Sequence, residues 1–321
     1  MLGDSHPAAN ASYSHKYAIR GLVSMEKARD VLGQWRTSTR LMHLGPNAHA
    51  LTFPVALGTI LNVVAFVTDP GEWQAKDGKL TAPACKSEAI QAFSAFSPVV
   101  RAIMDLLPEQ LDKWAVFDTY DHPVPSYISG RLCLAGDAAH ASAPHHGAGA
   151  GCGIEDNLAL AVLLEAAARS DVSKRPSSVR TALQVYNSVR YERSQFLVES
   201  SRIIGEVYEW RETDCGTDYK KIAHEIDSRS HKIWDYDVDA MVGEALDQFG
   251  RATQEQALIT VSSKEISSTE KLFEGANPPE EMRFLSGFAL AAVIVSFTVV
   301  YFLMMLDMSI LATVRQKIAE A

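Results

Sequence analysis

GRLCLAGDAAHASAPHHGAGAGCGIED, residues 130–156, reads as a short buried strand, an aspartate at its end, a Pro-His-His turn, a glycine loop and then a helix. The apolar run 131–135 shows no clear alternation, as expected of a strand covered on both faces. Gly136 removes a Cβ where the chain must turn close to a ligand. Asp137 then offers a carboxylate suited to a ligand hydroxyl. Pro144 fixes the loop backbone. Gly147, Gly149, Gly151 and Gly153 let backbone N–H groups face a planar or anionic ligand, and the following helix adds its positive end. The layout suits a polar cofactor lying across the mouth of a strand–loop–helix unit.

Three chemistries compete for this stretch. A dinucleotide fingerprint is rejected: neither Gly147 nor Gly149 starts a G-x-G-x-x-G, and the loop follows a turn rather than a strand. A metal site from Asp137, His140, His145 and His146 uses residues close in sequence, but adjacent histidines need not point the same way and no further ligand set is evident. The third reading is a flavin site, where the loop's N–H groups and the helix dipole would stabilise negative charge on the reduced isoalloxazine.

The surroundings agree with a folded protein of one large or two smaller domains. The chain has 321 residues, 47% hydrophobic and 21% charged. A formal charge of -9 and the lack of any dense Lys/Arg cluster argue against nucleic acid. The four cysteines, Cys85, Cys133, Cys152 and Cys215, form no C-x-x-C pair, so zinc ribbons and dithiol redox motifs lack support. The first residues carry neither the basic nor the apolar region of a secretory signal.

Upstream, YAIRGLVSM is strand-like and leads into a helix over 26–32. LMHLG, HALTFPV and TILNVVAFV are short apolar runs punctuated by Gly45-Pro46-Asn47 and Leu57-Gly58, the pattern of antiparallel strands. Residues 86–113 have helical spacing, with a break at Ser97-Pro98, and 116–120 is a further short strand. Downstream, 154–169, 178–213 and 216–260 read as helices. Residues 262–281 read as a polar tether.

Residues 284–306, FLSGFALAAVIVSFTVVYFLMML, open at Phe284, close at Leu306 and carry no charge. At 1.5 Å per residue such a helix spans a hydrocarbon core of about 30 Å. The run is expected to be a single C-terminal transmembrane helix, a membrane anchor; the flanking Arg283, Arg315 and Lys317 give no orientation. The expected organisation is a mixed-sheet substrate domain over 1–125, a flavin-binding segment with C-terminal helices over 126–260, a tether over 261–283, the span over 284–306 and a short tail over 307–321.

GDAAH…P-x-x-G-x-G…ED closely resembles the second flavin-binding motif of the class A FAD-dependent aromatic monooxygenases, in particular the salicylate hydroxylase-like enzymes, including those of fungal secondary metabolism. AIRGLV at 18–23, GPNAHALTFPV at 45–55 and HKIWDYDVDAM at 231–241 extend the resemblance over roughly residues 12–250. It implies a flavoprotein monooxygenase fold of the p-hydroxybenzoate hydroxylase type, α/β with an α+β substrate sheet. It implies FAD held by Gly136, Asp137, Pro144, Gly147 and Gly149. NAD(P)H would reduce the flavin and O2 would supply the oxygen placed on a small aromatic or phenolic substrate, with His49 as a candidate catalytic contact. The family's first βαβ unit, with its G-x-G-x-x-G, has no counterpart in these 321 residues, so the chain is expected to match the C-terminal half to two-thirds of such an enzyme. Two alternatives remain open: a catalytically inactive membrane-tethered remnant, and one half of a split flavoenzyme. The globular part is expected on the cytosolic side of a membrane.

Overall fold

The computed structural model describes residues 1–3, 5–74 and 78–267, with side chains to residue 255. The expected transmembrane run 284–306, its tail and most of the tether lie outside the described residues. Among the described residues, no helix is long and apolar enough to cross a membrane.

The chain divides into two compact units. The first joins Met1–Gly153 to Arg190–Asp237. Its centre is a six-stranded sheet of β1 (Ser12–Ser24), β2 (Leu41–Gly45), β3 (Ala48–Val55), β4 (Ile60–Thr68), β5 (Thr81–Cys85) and β6 (Gln110–Asp118), in the order β2-β3-β4-β1-β6-β5. Every pairing is antiparallel, which corrects the expectation of a mixed sheet. For β2–β3–β4 the physical reason is the brevity of the connections. Pro46-Asn47 joins β2 to β3 and Ala56–Gly58 joins β3 to β4, and so short a link can only return the chain antiparallel.

Strand alternation gives this sheet two different faces. Ile19, Val23, Ala48, Ala50, Leu61, Val63, Ala65 and Val67 point to one side. There they pack on α1 (Met25–Leu32), α3 (Lys86–Ala92) and α4 (Pro98–Asp105) through Ala28, Leu32, Phe93, Ile103 and Met104. The helix α2 (Gln34–Ser38) completes this layer in sequence. The approach is close: a Cβ on Gly21 would lie 2.3 Å from Leu107 Cδ2, and one on Gly45 2.4 Å from the Phe96 ring. The other side carries Ala18, Phe66 and Val116, packed with Ala143, and also Lys16, His49 and Thr68.

The expected buried strand over 131–135 is instead a two-residue hairpin arm. β7 (Ile128–Ser129) pairs with β8 (Leu132–Cys133), and Leu132 is 60% exposed. The largely apolar run 131–135 satisfies a strand pattern, yet among the described residues no second sheet covers both of its faces. The helix expected to run to residue 113 ends earlier, because β6 takes over at Gln110 and pairs with β1 and β5.

From there the chain makes one turn of helix, α5 (Asp137–His140), and then the long helices α6 (Gly149–Ala168), α7 (Arg175–Tyr208), α8 (Tyr219–Trp234) and α9 (Val238–Ser267). The second unit takes Ile154–Val189 and the chain from Val238. It buries Ala159, Leu163 and Ala167 of α6, Leu183 and Tyr186 of α7, and Met241, Ala245 and Phe249 of α9. Within it Ser188 Oγ donates to Gln248 Oε1 at 2.8 Å.

Candidate functional site

The five residues expected to hold a cofactor, Gly136, Asp137, Pro144, Gly147 and Gly149, fall within one unit and along one short course of chain. Gly136 has φ 59° and ψ -144°, a conformation that a side chain would strain. Its carbonyl accepts the N–H groups of Ala139 and His140 at 2.8 and 3.0 Å, so it starts α5 and leaves Asp137 exposed at the first position. The motif is tied to the sheet behind it. Thr119, just past β6, donates its N–H and its hydroxyl to the Ala141 carbonyl at 3.0 and 3.2 Å.

Pro144–His146 forms a single 3-10 turn closed by Gly147 in the left-handed region, φ 66° and ψ 19°. The Gly147 N–H donates to the Pro144 carbonyl at 3.1 Å. Pro144 and Gly147 are exposed, whereas Ala143 and His145 are buried and anchor the turn. Helix α6 begins at Gly149, so Gly149, Gly151 and Gly153 are its first turn rather than a loop. Packing overrides the low helix propensity of glycine here. A Cβ on Gly151 would meet nothing within 4 Å, one on Gly149 would lie 3.4 Å from Ser142 Oγ, and one on Gly153 3.6 Å from Gly136 Cα. The result is an open cradle of backbone beside the N-terminus of a 20-residue helix, with a carboxylate at its rim. Arg190, fully buried, donates to the Cys152 carbonyl at 3.2 Å and supports the helix start from beneath.

Two of the four residues weighed as a metal set diverge, and His140 has its ligand atom within 4.8 Å of those of Cys152 and Asp156. His145 turns toward His49 and Phe66, with ring centroids at 5.0 and 4.8 Å. His146 Nε2 instead reaches Ser200 Oγ at 2.9 Å. Burial, reinforced by Arg229, pushes the His146 imidazole down to about 4 despite the Ser200 bond. Burial first, then His49, Lys16, His146 and Arg202, keeps His145 well below the ordinary imidazole range.

His49 lies in β3 and is 0% exposed. Its ring stacks on Phe66 at 4.7 Å, and its Nδ1 sits 2.9 Å from Glu209 Oε1. Glu209 also accepts from Lys16 Nζ at 2.5 Å and from Thr68 Oγ1. Burial alone would raise the Glu209 carboxyl; the His49 bond and the Lys16 charge outweigh it, and the group stays below the usual carboxylate range. Arg20 is exposed on β1, opposite Asp112 of β6.

Sequence reading missed Lys16, Glu209, Arg190 and the Asp118–Arg202 pair, whose two bonds measure 2.9 and 2.5 Å. The available signal was a set of arginines on the apolar side of the 178–213 helix, where a charge inside a core stripe implies a buried partner.

Residues 72–201 match the family described as "FAD binding domain". The chain is 54% identical over 255 residues to the FAD-dependent monooxygenase orf3 of Aspergillus niger, covering 78% of this chain and 57% of that protein. It is 57% identical over 254 residues to the FAD-dependent monooxygenase pigN of Monascus ruber, covering 78% of this chain and 58% of that one. A solved salicylate hydroxylase substrate complex is 32% identical with TM-score 0.67, covering 75% of this chain and 59% of the other. The chain thus spans a little under three-fifths of the length of these relatives.

Proposed function

We infer the function from kinship and geometry together: the chain belongs to the FAD-dependent monooxygenases, and its part in their chemistry is to seat the flavin. One observation carries the reading. Gly136 and Gly147, both at positive φ, frame an exposed Asp137 beside the bare glycine start of α6. This is a surface that L side chains would strain or block and that a planar, partly anionic group fits.

Bound FAD would supply the transfer of electrons from NAD(P)H to O2 that oxygenates a small aromatic or phenolic substrate. The chain's own residues bind and orient. Asp137 accepts hydrogen bonds from cofactor hydroxyls. Gly149 and Gly151, in the first turn of α6, would present N–H groups to a bound ring, and the α6 dipole favours negative charge there. The side of the sheet bearing His49 and Phe66 backs the Pro144–His146 turn, so His49 bears on the site from behind it. Homology to fungal enzymes named as monooxygenases, among them a salicylate hydroxylase of Sarocladium schorii 42% identical over 261 residues, supports an aromatic substrate and a place in secondary metabolism.

Titration of the purified chain with FAD, followed by quenching of flavin fluorescence, tests the seat. The expected result is saturable binding that weakens at least tenfold in Asp137→Ala. Binding unaffected by that change would remove Asp137 from the site. Consumption of NAD(P)H with added FAD and a phenolic acid would support turnover; binding without turnover would favour the inactive or split-enzyme alternatives.

We also propose attachment to a membrane through residues 284–306, with the globular part in the cytosol. The uncharged length of that run supports it. Ile294→Lys should release the chain from the membrane fraction; a chain found soluble without the change would refute the anchor.

A further inference from the structure

Glu209 follows α7 directly and is 0% exposed. Its backbone carbonyl accepts the Asn47 N–H at 3.0 Å, which pins it under the β2–β3 turn. A carboxylate only accepts, so the His49 nitrogen facing it, Nδ1, carries the proton. The other nitrogen, Nε2, is shut from solvent and has no partner among the described residues. Adding a proton there would bury an unsatisfied N–H and set a second cation near Lys16. One tautomer of His49 is therefore imposed from Glu209.

That ring is in turn part of a wall. His49 and Phe66 stack at 12°, and His145 stands edge-on to both, at 62° and 67°. The far side of His145 occupies the place of a missing side chain. A Cβ on Gly205 would fall 2.7 Å from His145 Cδ2 and 2.8 Å from Nε2. His145 is thus wedged between β3–β4 and α7, and its backbone is the middle of the turn that ends in Gly147. Packing alone would be served by a phenylalanine at 49. A buried carboxylate, ammonium and imidazole are a costly way to fill space, which points to orientation as their purpose.

We propose that Glu209 and His49 are positioning residues for the Pro144–Gly147 turn: the carboxylate fixes the tautomer and tilt of His49, and that ring holds His145, and with it Gly147, in the geometry that receives the flavin. The proposal rests on the flavin-seat reading above. The charged and titratable groups around the column are Lys16 of β1, Glu206 and Arg202 of α7, Glu209, His146 and Tyr208. Lys16 lies 2.8 Å from Glu206 and 2.5 Å from Glu209, so its charge is matched twice.

Imidazole ¹⁵N spectra of the cofactor-free chain between pH 6 and pH 8 provide the first test, and need no variant. The expected result is a single Nδ1–H form of His49 with His145 neutral throughout; an Nε2–H form, or a mixture, would overturn the proposal. His49→Phe keeps a ring against His145 but removes the donor to Glu209. Glu209→Gln keeps the shape and removes the charge. Each is expected to weaken FAD binding at least tenfold, and Glu209→Gln to mix the His49 tautomers. FAD affinity within twofold of the parent in a folded variant would overturn it. A parent chain that binds no FAD would sink the flavin-seat reading instead, while the tautomer spectrum would still decide whether Glu209 commands His49.

Discussion

The two faces of the six-stranded sheet are built from the same strands and behave as different materials. One is a continuous apolar layer under α1, α3 and α4, closed by Phe93, Ile103 and Met104. The other mixes Ala18, Phe66 and Val116 with Lys16, His49 and Thr68, and carries the Pro-His-His turn. Apolar burial is non-directional, so the first face supplies stability without dictating where any one atom sits. Hydrogen bonds and ion pairs are directional, so the second face spends stability on placement. The motif proposed to seat the cofactor is laid against the directional face.

Changes to each face should therefore separate stability from affinity. Phe93→Ala opens a cavity in the apolar layer and should cost about 3–5 kcal/mol in urea unfolding, with FAD affinity kept wherever the chain remains folded. A loss of affinity at constant foldedness would break the distinction. Gly205→Ala pushes on His145 from α7 and should cost about 1–3 kcal/mol while reducing FAD affinity at least tenfold, a disproportion that fluorescence titration beside chemical unfolding would register. Gly136→Ala and Gly147→Ala impose positive φ on an L residue and should cost roughly 1–2 kcal/mol each; Gly136, whose ψ lies outside the left-handed helical well, should be the worse.

Acidification gives the smallest effect and bears mainly on the polar face, which holds His145, His146 and Glu209; on the apolar side, burial lowers His43 as well. His145 and His146 are held neutral in the fold, His146 down to about 4, against an ordinary value of 6.5. The unfolded chain thus binds more protons than the folded one below about pH 6.5, and stability should fall as pH drops from there toward 4. Glu209, kept below the ordinary carboxylate range, adds a loss at still lower pH as it is protonated. Unfolding midpoints measured from pH 7.5 to pH 4 should show this decline. His146→Gln should flatten its upper part; an unchanged slope would assign the decline to other groups.

How much could be read without coordinates follows from distance along the chain. The hairpins β2–β3–β4 were legible because their turn residues stand beside their apolar runs. The motif proposed as a flavin seat could be picked out because Gly136, Asp137, Pro144, Gly147 and Gly149 are near neighbours. Strand β5 was not: TAPAC is short and contains Pro83, tolerable only because β5 lies at the sheet edge. The strand expected over 131–135 failed because periodicity says nothing of what is available to cover it. Lys16 and Glu209 lie 193 residues apart, and no local pattern pairs them. Gly205 carries no local sign of its role, since the ring that requires it belongs to a different motif.

Helix α7 has one further consequence. From Arg190 to Gly205 it touches the start of α6 through Cys152, Tyr127 through Ser194 at 2.6 Å, the Pro-His-His turn through Ser200, Asp118 through Arg202 and His145 at Gly205. These stations lie along about 22 Å of one rod. Their spacing is metered by residue count, so inserting or deleting a single residue among them would rotate every later station by about 100° and dissociate the two ends of the cradle. Length within this segment is thus a conserved quantity in the mechanical sense: substitutions can be absorbed one at a time, but a change of register cannot.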